Sequence, residues 1–203
     1  AGNQIVDNQA GMIGGGAVII NRTPTIENNL FVRNRAPNGG AGIYIADSQP
    51  TLRHNTIANN GRNQNSDGIL LSPGASPALM YNVIAGNDYG IRTGGGQPRQ
   101  TMRNVLHDNR LGDYLGVAPG ASDIRVDPQF TGGPLGPYYL AHAGAGQSTN
   151  SPLIDACTET AQGLGLHLTT TRTDGQDDQG LADIGYHYES QPNRAFLPMI
   201  GLT

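Results

Sequence analysis

Pro24-Thr-Ile-Glu-Asn-Asn29-Leu-Phe-Val-Arg-Asn34 and, one unit later, Pro50-Thr-Leu-Arg-His-Asn55-Thr-Ile-Ala-Asn-Asn60 follow the same plan. The plan recurs from Pro77 to Asn87, and its asparagines extend beyond these units on both sides. Asn3, Asn29, Asn55, Asn82 and Asn104 each precede a second asparagine by five residues, namely Asn8, Asn34, Asn60, Asn87 and Asn109. Successive pairs are 26, 26, 27 and 22 residues apart, and two residues after each first asparagine stands an apolar side chain: Ile5, Phe31, Ile57, Ile84 or Leu106. A period in this range marks stacked supersecondary units, a solenoid.

Each unit contains three short runs with period-two alternation. After the asparagine pair comes a loop of varied sequence, then Gly42-Ile-Tyr-Ile45, Gly68-Ile-Leu-Leu71 or Gly90-Ile-Arg-Thr93, then a turn into the next proline. One such unit leaves an apolar face and two backbone edges unsatisfied, so it cannot fold alone. Stacking satisfies both, with equivalent strands paired in parallel at about 4.8 Å per rung. Ile26, Leu52 and Leu79 then fall in one internal column, and Phe31, Ile57, Ile84 and Leu106 in a second. Ile43, Ile45, Ile69, Leu71 and Ile91 fall in the third. The first asparagines, Asn3, Asn29, Asn55, Asn82 and Asn104, are expected at tight corners in the left-handed conformation, their amides bonded from rung to rung in a ladder.

Composition supports a chain that turns often. Thirty glycines and 18 asparagines in 203 residues are the residue types that tolerate left-handed backbone. The net charge of -4, without a basic cluster, argues against nucleic acid as a partner. All 12 basic residues are arginine. Cys157 is the one cysteine, so no internal disulfide can form, and pairing between chains is left open. No apolar run is long enough to span a membrane. The chain begins at Ala1, inside a repeat unit and without a signal peptide, and is expected to be processed or cut from something longer.

Gly39 to Asn60, GGAGIYIADSQPTLRHNTIANN, resembles the repeat of right-handed parallel β-helix proteins of the pectate-lyase-like superfamily. Three further stretches are DPQF at Asp127–Phe130, SPLIDA at Ser151–Ala156 and TDGQDDQGLADIGYHYE at Thr173–Glu189. They resemble the closing elements of choice-of-anchor Q surface proteins. The departures are Cys157 where that family usually has glycine, Asp177 and Asp178 where it often has Pro-Arg, and His187 inserted near the final tyrosine. The resemblance covers nearly the whole chain. It implies an all-β, right-handed parallel β-helix with three short strands per rung, an extracellular or cell-surface location, and either a scaffold role or carbohydrate chemistry.

On this reading residues 1–117 form about five regular rungs, residues 118–189 form irregular closing rungs and a cap, and residues 190–203 form an apolar tail or linker. The open first rung is a template for strand addition, so the isolated chain is expected to dimerise or stack. Partners are expected to be other surface proteins, an N-terminal stretch of its own chain, or a polysaccharide.

Candidate sites are few. The outward position of the Gly-Ile-x-Ile strand is read as Ile19, Tyr44, Leu70 and Arg92 in successive rungs, too apolar for a free sheet face. Such a face is either covered, by the C-terminal segment or a partner, or is a sugar-stacking groove. Tyr44, Leu70, Arg92 and Asp67 would form that groove, rimmed by the loops Arg35–Ala41 and Gly61–Asp67. Asp174, Asp177, Asp178 and Asp183 lie in a glycine-containing loop with hard oxygen ligands that suit calcium, although not at EF-hand spacing. No other cofactor is called for. His54 and His107 fall at different offsets in the repeat, and His142, His167 and His187 are scattered; all five are read as surface or turn residues. Glycoside hydrolysis needs two convergent carboxylates, and Asp47, Asp67, Asp88, Asp108 and Asp113 do not converge in the repeat; lyase chemistry would have to use Arg92 as base. No residue is assigned a catalytic role. The residues therefore favour a non-catalytic module serving as rigid scaffold, adhesin or assembly subunit. The alternatives are a polysaccharide lyase or glycoside hydrolase, and a carbohydrate-binding module.

Overall fold

The structure is a computed structural model that describes residues 1–61 and 66–190. Part of the 61–67 loop, and all of the expected tail except Ser190, lie outside the described residues. Three parallel sheets wind into a solenoid. Sheet I stacks Gln4–Val6, Leu30–Val32, Thr56–Ala58, Val83–Ala85 and Val105–His107. Sheet II stacks Ala17–Ile20, Ile43–Ala46, Asp67–Leu71, Tyr89–Thr93 and Gly112–Leu115. Sheet III stacks Thr25–Glu27, Thr51–Arg53, Ala78–Met80 and Gln100–Met102.

The registers place the apolar columns as their spacing requires. Ile5, Phe31, Ile57, Ile84 and Leu106 stack in sheet I, and Ile26 pairs with Leu52 and Leu52 with Leu79 in sheet III. Ile43, Ile69 and Ile91 stack in sheet II. These side chains form one continuous core with Ile45 and Leu71. The register shifts one expectation. Val18 pairs with Tyr44 and Ile19 with Ile45, so Ile19 points into the core and Val18, half exposed, heads the outward column. Gly16-Ala17 is the counterpart of Gly42-Ile43, and counting from the glycine gives the correct face.

Two ladders hold the corners on either side of sheet I. Each first asparagine donates both its backbone N–H and its Nδ2 to Oδ1 of the next: Asn29 to Asn55 at 3.0 and 3.2 Å, Asn55 to Asn82 at 3.1 and 2.9 Å. The second asparagines do the same, with Asn34 to Asn60 at 3.0 Å from both donors and Asn60 to Asn87 at 2.9 and 3.2 Å. The remaining amide proton goes to a main-chain carbonyl, as from Asn82 to Leu52 at 2.8 Å and from Asn87 to Ile57 at 3.0 Å. Only one ladder was expected, yet the common five-residue spacing carries both.

The ladders have a direction, and each ends on a carboxylate. Asn104 donates its N–H and Nδ2 to Asp123 Oδ1 at 2.9 and 3.1 Å, and Asn109 donates Nδ2 to Asp113 Oδ1 at 2.8 Å. A carboxylate only accepts, which is what a column of donors needs at its end. Around Asp123 the chain still follows the solenoid, because Ile124 bridges Val105 in parallel.

The left-handed residues sit one place earlier than expected. Asn28, His54, Tyr81 and Arg103 have φ between 48 and 55°, as do, within a few degrees, Asp7, Arg33, Asn59 and Asp108 on the other side of sheet I. The ladder asparagines themselves stay out of this region, and their amides point along the stack.

Beyond Pro128 the chain leaves the axis and lies along the outside of sheet I. An antiparallel hairpin, Phe130–Gly133 with Gly136–Leu140, packs Tyr138 and Tyr139 near Leu30, Val32 and Ala58. A second group, Leu140, Leu153, Ala156, Ala161 and Ile184 among them, covers Tyr81, Val83, Ala85 and Val105. The short helix Ala161–Leu164 starts at Thr160, whose hydroxyl accepts the Gly163 N–H at 3.1 Å. The strip Ile184–Tyr188 of the closing motif is bolted to three successive rungs. Gly185 N–H donates to Tyr81 O at 3.2 Å, Tyr186 N–H to Thr56 Oγ1 at 3.0 Å, and His187 N–H to Asn28 Oδ1 at 2.7 Å. Gly185 has φ 108°, and a Cβ there would lie 2.9 Å from Val83. A side chain would strain the backbone and lift the strip from the sheet.

Candidate functional site

The outer face of sheet II brings the expected groove residues together and closes over them. Tyr44, Leu70 and Arg92 are register neighbours, followed by Leu115. The loop ahead of Ile43 folds back onto this column. Gly40 N–H donates to Asp67 Oδ2 at 2.9 Å, and a Cβ on Gly39 would lie 2.7 Å from both Leu70 Cδ2 and Arg92 Nη2. Gly39 has φ 110°, so glycine is required there both by space and by backbone. Leu70 is consequently buried and Tyr44 half-buried.

Asp67 is not free to meet a ligand. Its side chain is fully buried, and Arg92 reaches it twice, Nε to Oδ1 at 2.5 Å and Nη2 to Oδ2 at 2.8 Å. Burial pushes the Asp67 carboxyl above its ordinary value, against the pull of Arg92. A similar pair, Arg110 Nε to Asp88 Oδ1 at 2.7 Å, lies near it, again with a buried carboxylate. Both pairs stitch neighbouring rungs together, and breaking one would leave a buried charge without its counterpart.

A cleft of about 860 Å³ lies in the outside cover. Its walls include His142, Asp155, Arg172, Asp177, Asp178 and Asp183. Arg172 is held by Asp174 through Nε and Nη2 at 3.0 and 2.6 Å, which lowers the Asp174 carboxyl below its usual range. Asp178 is buried and accepts from His187 Nε2 at 2.8 Å and from the Asp183 N–H at 3.0 Å. Asp183, also buried, accepts from the Asp155 N–H at 2.7 Å and from the Thr171 hydroxyl. Its carboxyl is raised first by burial and then by the nearby Asp178 charge. Asp155 and Asp177 turn toward the cleft without a hydrogen bond from their side chains to the described residues.

The four aspartates considered for calcium are thus divided by role. Asp174 serves Arg172, Asp178 serves His187, Asp183 ties Thr171 to Asp155, and Asp177 stands on the cleft wall. Among the described residues no three His, Cys, Asp or Glu side chains are grouped to hold a metal ion.

A family model for the right-handed β-helix region matches residues 1–127, more than half of the chain. The chain belongs to that family. No curated protein and no solved structure matches it. The matched part of this β-helix protein ends just past Asp123, the carboxylate that closes the ladder of first asparagines, where the repeat gives way to the outside cover.

Two histidines read as surface or turn residues are buried in the β-helix. His54 occupies a corner of the repeat and His187 the docking strip, both with no exposed surface. Their rings meet edge to face with centroids 5.9 Å apart, and His54 also lies over Tyr81 at 5.1 Å. In sequence these residues are 133 positions apart, and nothing local to either announces the contact. Cys157 is buried as well, so its sulfur is not presented for pairing between chains. The C-terminal segment covers sheet I and not, as the apolar outward column suggests, sheet II; the sequence signal for it was sheet I itself, where Leu30-Phe-Val32 and Val83-Ile-Ala85 are apolar at every position, the mark of a strand buried on both sides. Among the described residues no helix is long and apolar enough to cross a membrane.

Proposed function

We propose that this β-helix protein is a non-catalytic extracellular or cell-surface scaffold, serving as a stalk, adhesin or assembly subunit. The observation that carries this reading is where its polar groups are spent. The ladder amides bond to one another, the carboxylates at the ends of the ladders bond to asparagines, and Asp67 and Arg92 bond to each other under a folded-back loop. Side chains used this way fix the spacing of rungs and leave little freedom for chemistry on the sheet II face. The resemblance of the closing stretches to choice-of-anchor Q surface proteins supports placing it outside the cell. The test is incubation with acidic and neutral polysaccharides, with and without calcium, reading bound glycan and released fragments by mass spectrometry. A scaffold releases no fragments at any calcium level. Released fragments would overturn this reading and make the protein a lyase or hydrolase.

A second reading, carbohydrate binding, is favoured by one observation, the polar cleft in the cover with Asp155 and Asp177 on its wall. Binding there would survive Tyr44→Ala and be lost in Asp155→Asn/Asp177→Asn. Binding lost with Tyr44→Ala would instead return the groove to sheet II.

A further inference from the structure

We propose that the cover of sheet I is an acid-released latch centred on His54, in which a proton on the imidazole frees the Gly185–Tyr188 strip from the solenoid. His54 is fully buried at a corner of the repeat, and neither of its ring nitrogens has a hydrogen-bond partner among the described residues. It packs instead as an aromatic disc, tilted 31° over Tyr81 on one side and met edge-on by His187 of the strip on the other. A neutral imidazole can occupy such a place, at the cost of two unmade hydrogen bonds. An imidazolium is strongly disfavoured there, because both N–H groups would be buried with only the ill-aligned Asp183 carbonyl nearby.

The charged and titratable groups around it give no relief. Arg53, the last residue of the strand before it, is tied to Glu27 at 2.9 Å. From the strip comes His187, whose Nε2 already holds Asp178 at 2.8 Å and whose Nδ1 is 3.0 Å from Gly185 O. From the cover comes the Asp183 carbonyl, which faces the ring without hydrogen-bond geometry and accepts the Cys157 thiol at 3.5 Å. Tyr81, from the next rung, points its hydroxyl away to Thr158 at 2.6 Å.

Burial first, and then the charges of His187 and Arg53, hold the His54 imidazole down to about 3 from an ordinary 6.5. A depressed base binds fewer protons in the closed form than in the open one throughout that window. Closing is therefore weakened as pH falls from about 6.5 to about 3, by up to tenfold per pH unit from this residue. Asp183 works the other way. Its raised carboxyl takes a proton more readily in the closed form, which offsets part of the effect and moves release toward the acidic end of the window. Opening would uncover Leu30, Val32 and Val83 on the solenoid and Tyr186 and Tyr188 on the strip. The ladders, bonded within the repeat, would stay closed.

Hydrogen exchange with the pH varied from 6.5 to 3, corrected for intrinsic rates, tests the latch on the wild-type chain. Protection of the Gly185, Tyr186 and His187 amides should fall with acid, by up to tenfold per unit, while the Asn55 and Asn82 amides keep theirs. Loss of both sets together would mean whole-chain acid unfolding and would overturn the proposal. His54→Phe keeps the disc on Tyr81 and removes the proton site, and its strip amides should hold their protection down to pH 3. A pH response in His54→Phe equal to that of the wild type would also overturn it.

Discussion

Within the solenoid each corner asparagine before the last donates to another asparagine one rung away; on the outside of the same corners each residue meets something different. Asn55 bonds Asn82 and Asn82 bonds Asn104. One residue earlier in the chain, Asn28 holds the His187 backbone, His54 meets the His187 ring edge to face, Tyr81 O takes the Gly185 N–H, and Arg103 Nε donates to Ala156 O at 2.7 Å. The inside of the turn repeats because its partner is a copy of itself. The outside varies because its partner, the cover, passes each rung only once. Asparagine, histidine, tyrosine and arginine thus share one left-handed backbone position, a conformation that costs a non-glycine residue roughly 1–2 kcal/mol, and the contacts on both sides hold them there.

Reversing the polarity of a ladder should do the most damage. Asn82→Asp would replace Nδ2, whose two N–H groups now reach Leu52 O at 2.8 Å and Asn104 Oδ1 at 2.9 Å, with a carboxylate oxygen facing both acceptors in a fully buried place. A loss of about 3–5 kcal/mol in chemical denaturation is expected. The mirror change, Asp123→Asn, keeps an acceptor for Asn104 and disturbs the two donors on Asp123 Oδ2, the Tyr114 hydroxyl at 2.7 Å and the Gly120 N–H at 3.0 Å. Its cost should stay below about 1.5 kcal/mol. Equal losses in the two variants would break the claim that the ladder has a direction.

Away from the ladders, Arg92→Ala leaves the buried Asp67 carboxylate without its counterpart, and about 2–4 kcal/mol should be lost, discounted because the Arg92 side is partly open to water. Stability should then recover as pH falls and Asp67, whose carboxyl burial already raises, takes a proton. Asn55→Ala removes one member of the repeating column and should cost about 1–3 kcal/mol. Gly39→Ala is expected to cost about 1–2 kcal/mol, from the strained backbone and the contact with Arg92 and Leu70. Its sharper readout is the Gly40 amide, which should exchange faster as the loop lifts from Asp67.

The same contrast explains what could be read in the sequence. Phe31, Ile57, Ile84 and Leu106 named their own neighbours because a period, once found, fixes every later contact. Asn3 to Asn104 declared a ladder for the same reason. The second ladder was visible in the spacing but not assigned, and the left-handed residues were placed one position late because their side chains share no chemistry. Ile19 was turned outward by a count that ignored Gly16. The cover was less legible: His54 with His187 and Asn59 with Tyr138 are single contacts across long stretches of chain, with no repeat to reveal them. Loop residues such as Gly39 closed the sheet II groove by a backbone path that composition alone does not fix.

Backbone hydrogen exchange at the ladder positions tests the account most directly. Asn29, Asn55 and Asn82 each donate the backbone N–H to a side-chain oxygen one rung on, an arrangement that local fraying would undo. If the ladders hold the solenoid, these amides exchange only through global unfolding, at the rate of the most protected core strands. Exchange at these amides within minutes, while Ile57 and Ile84 stay protected, would contradict it and reduce the asparagines to ordinary corner residues.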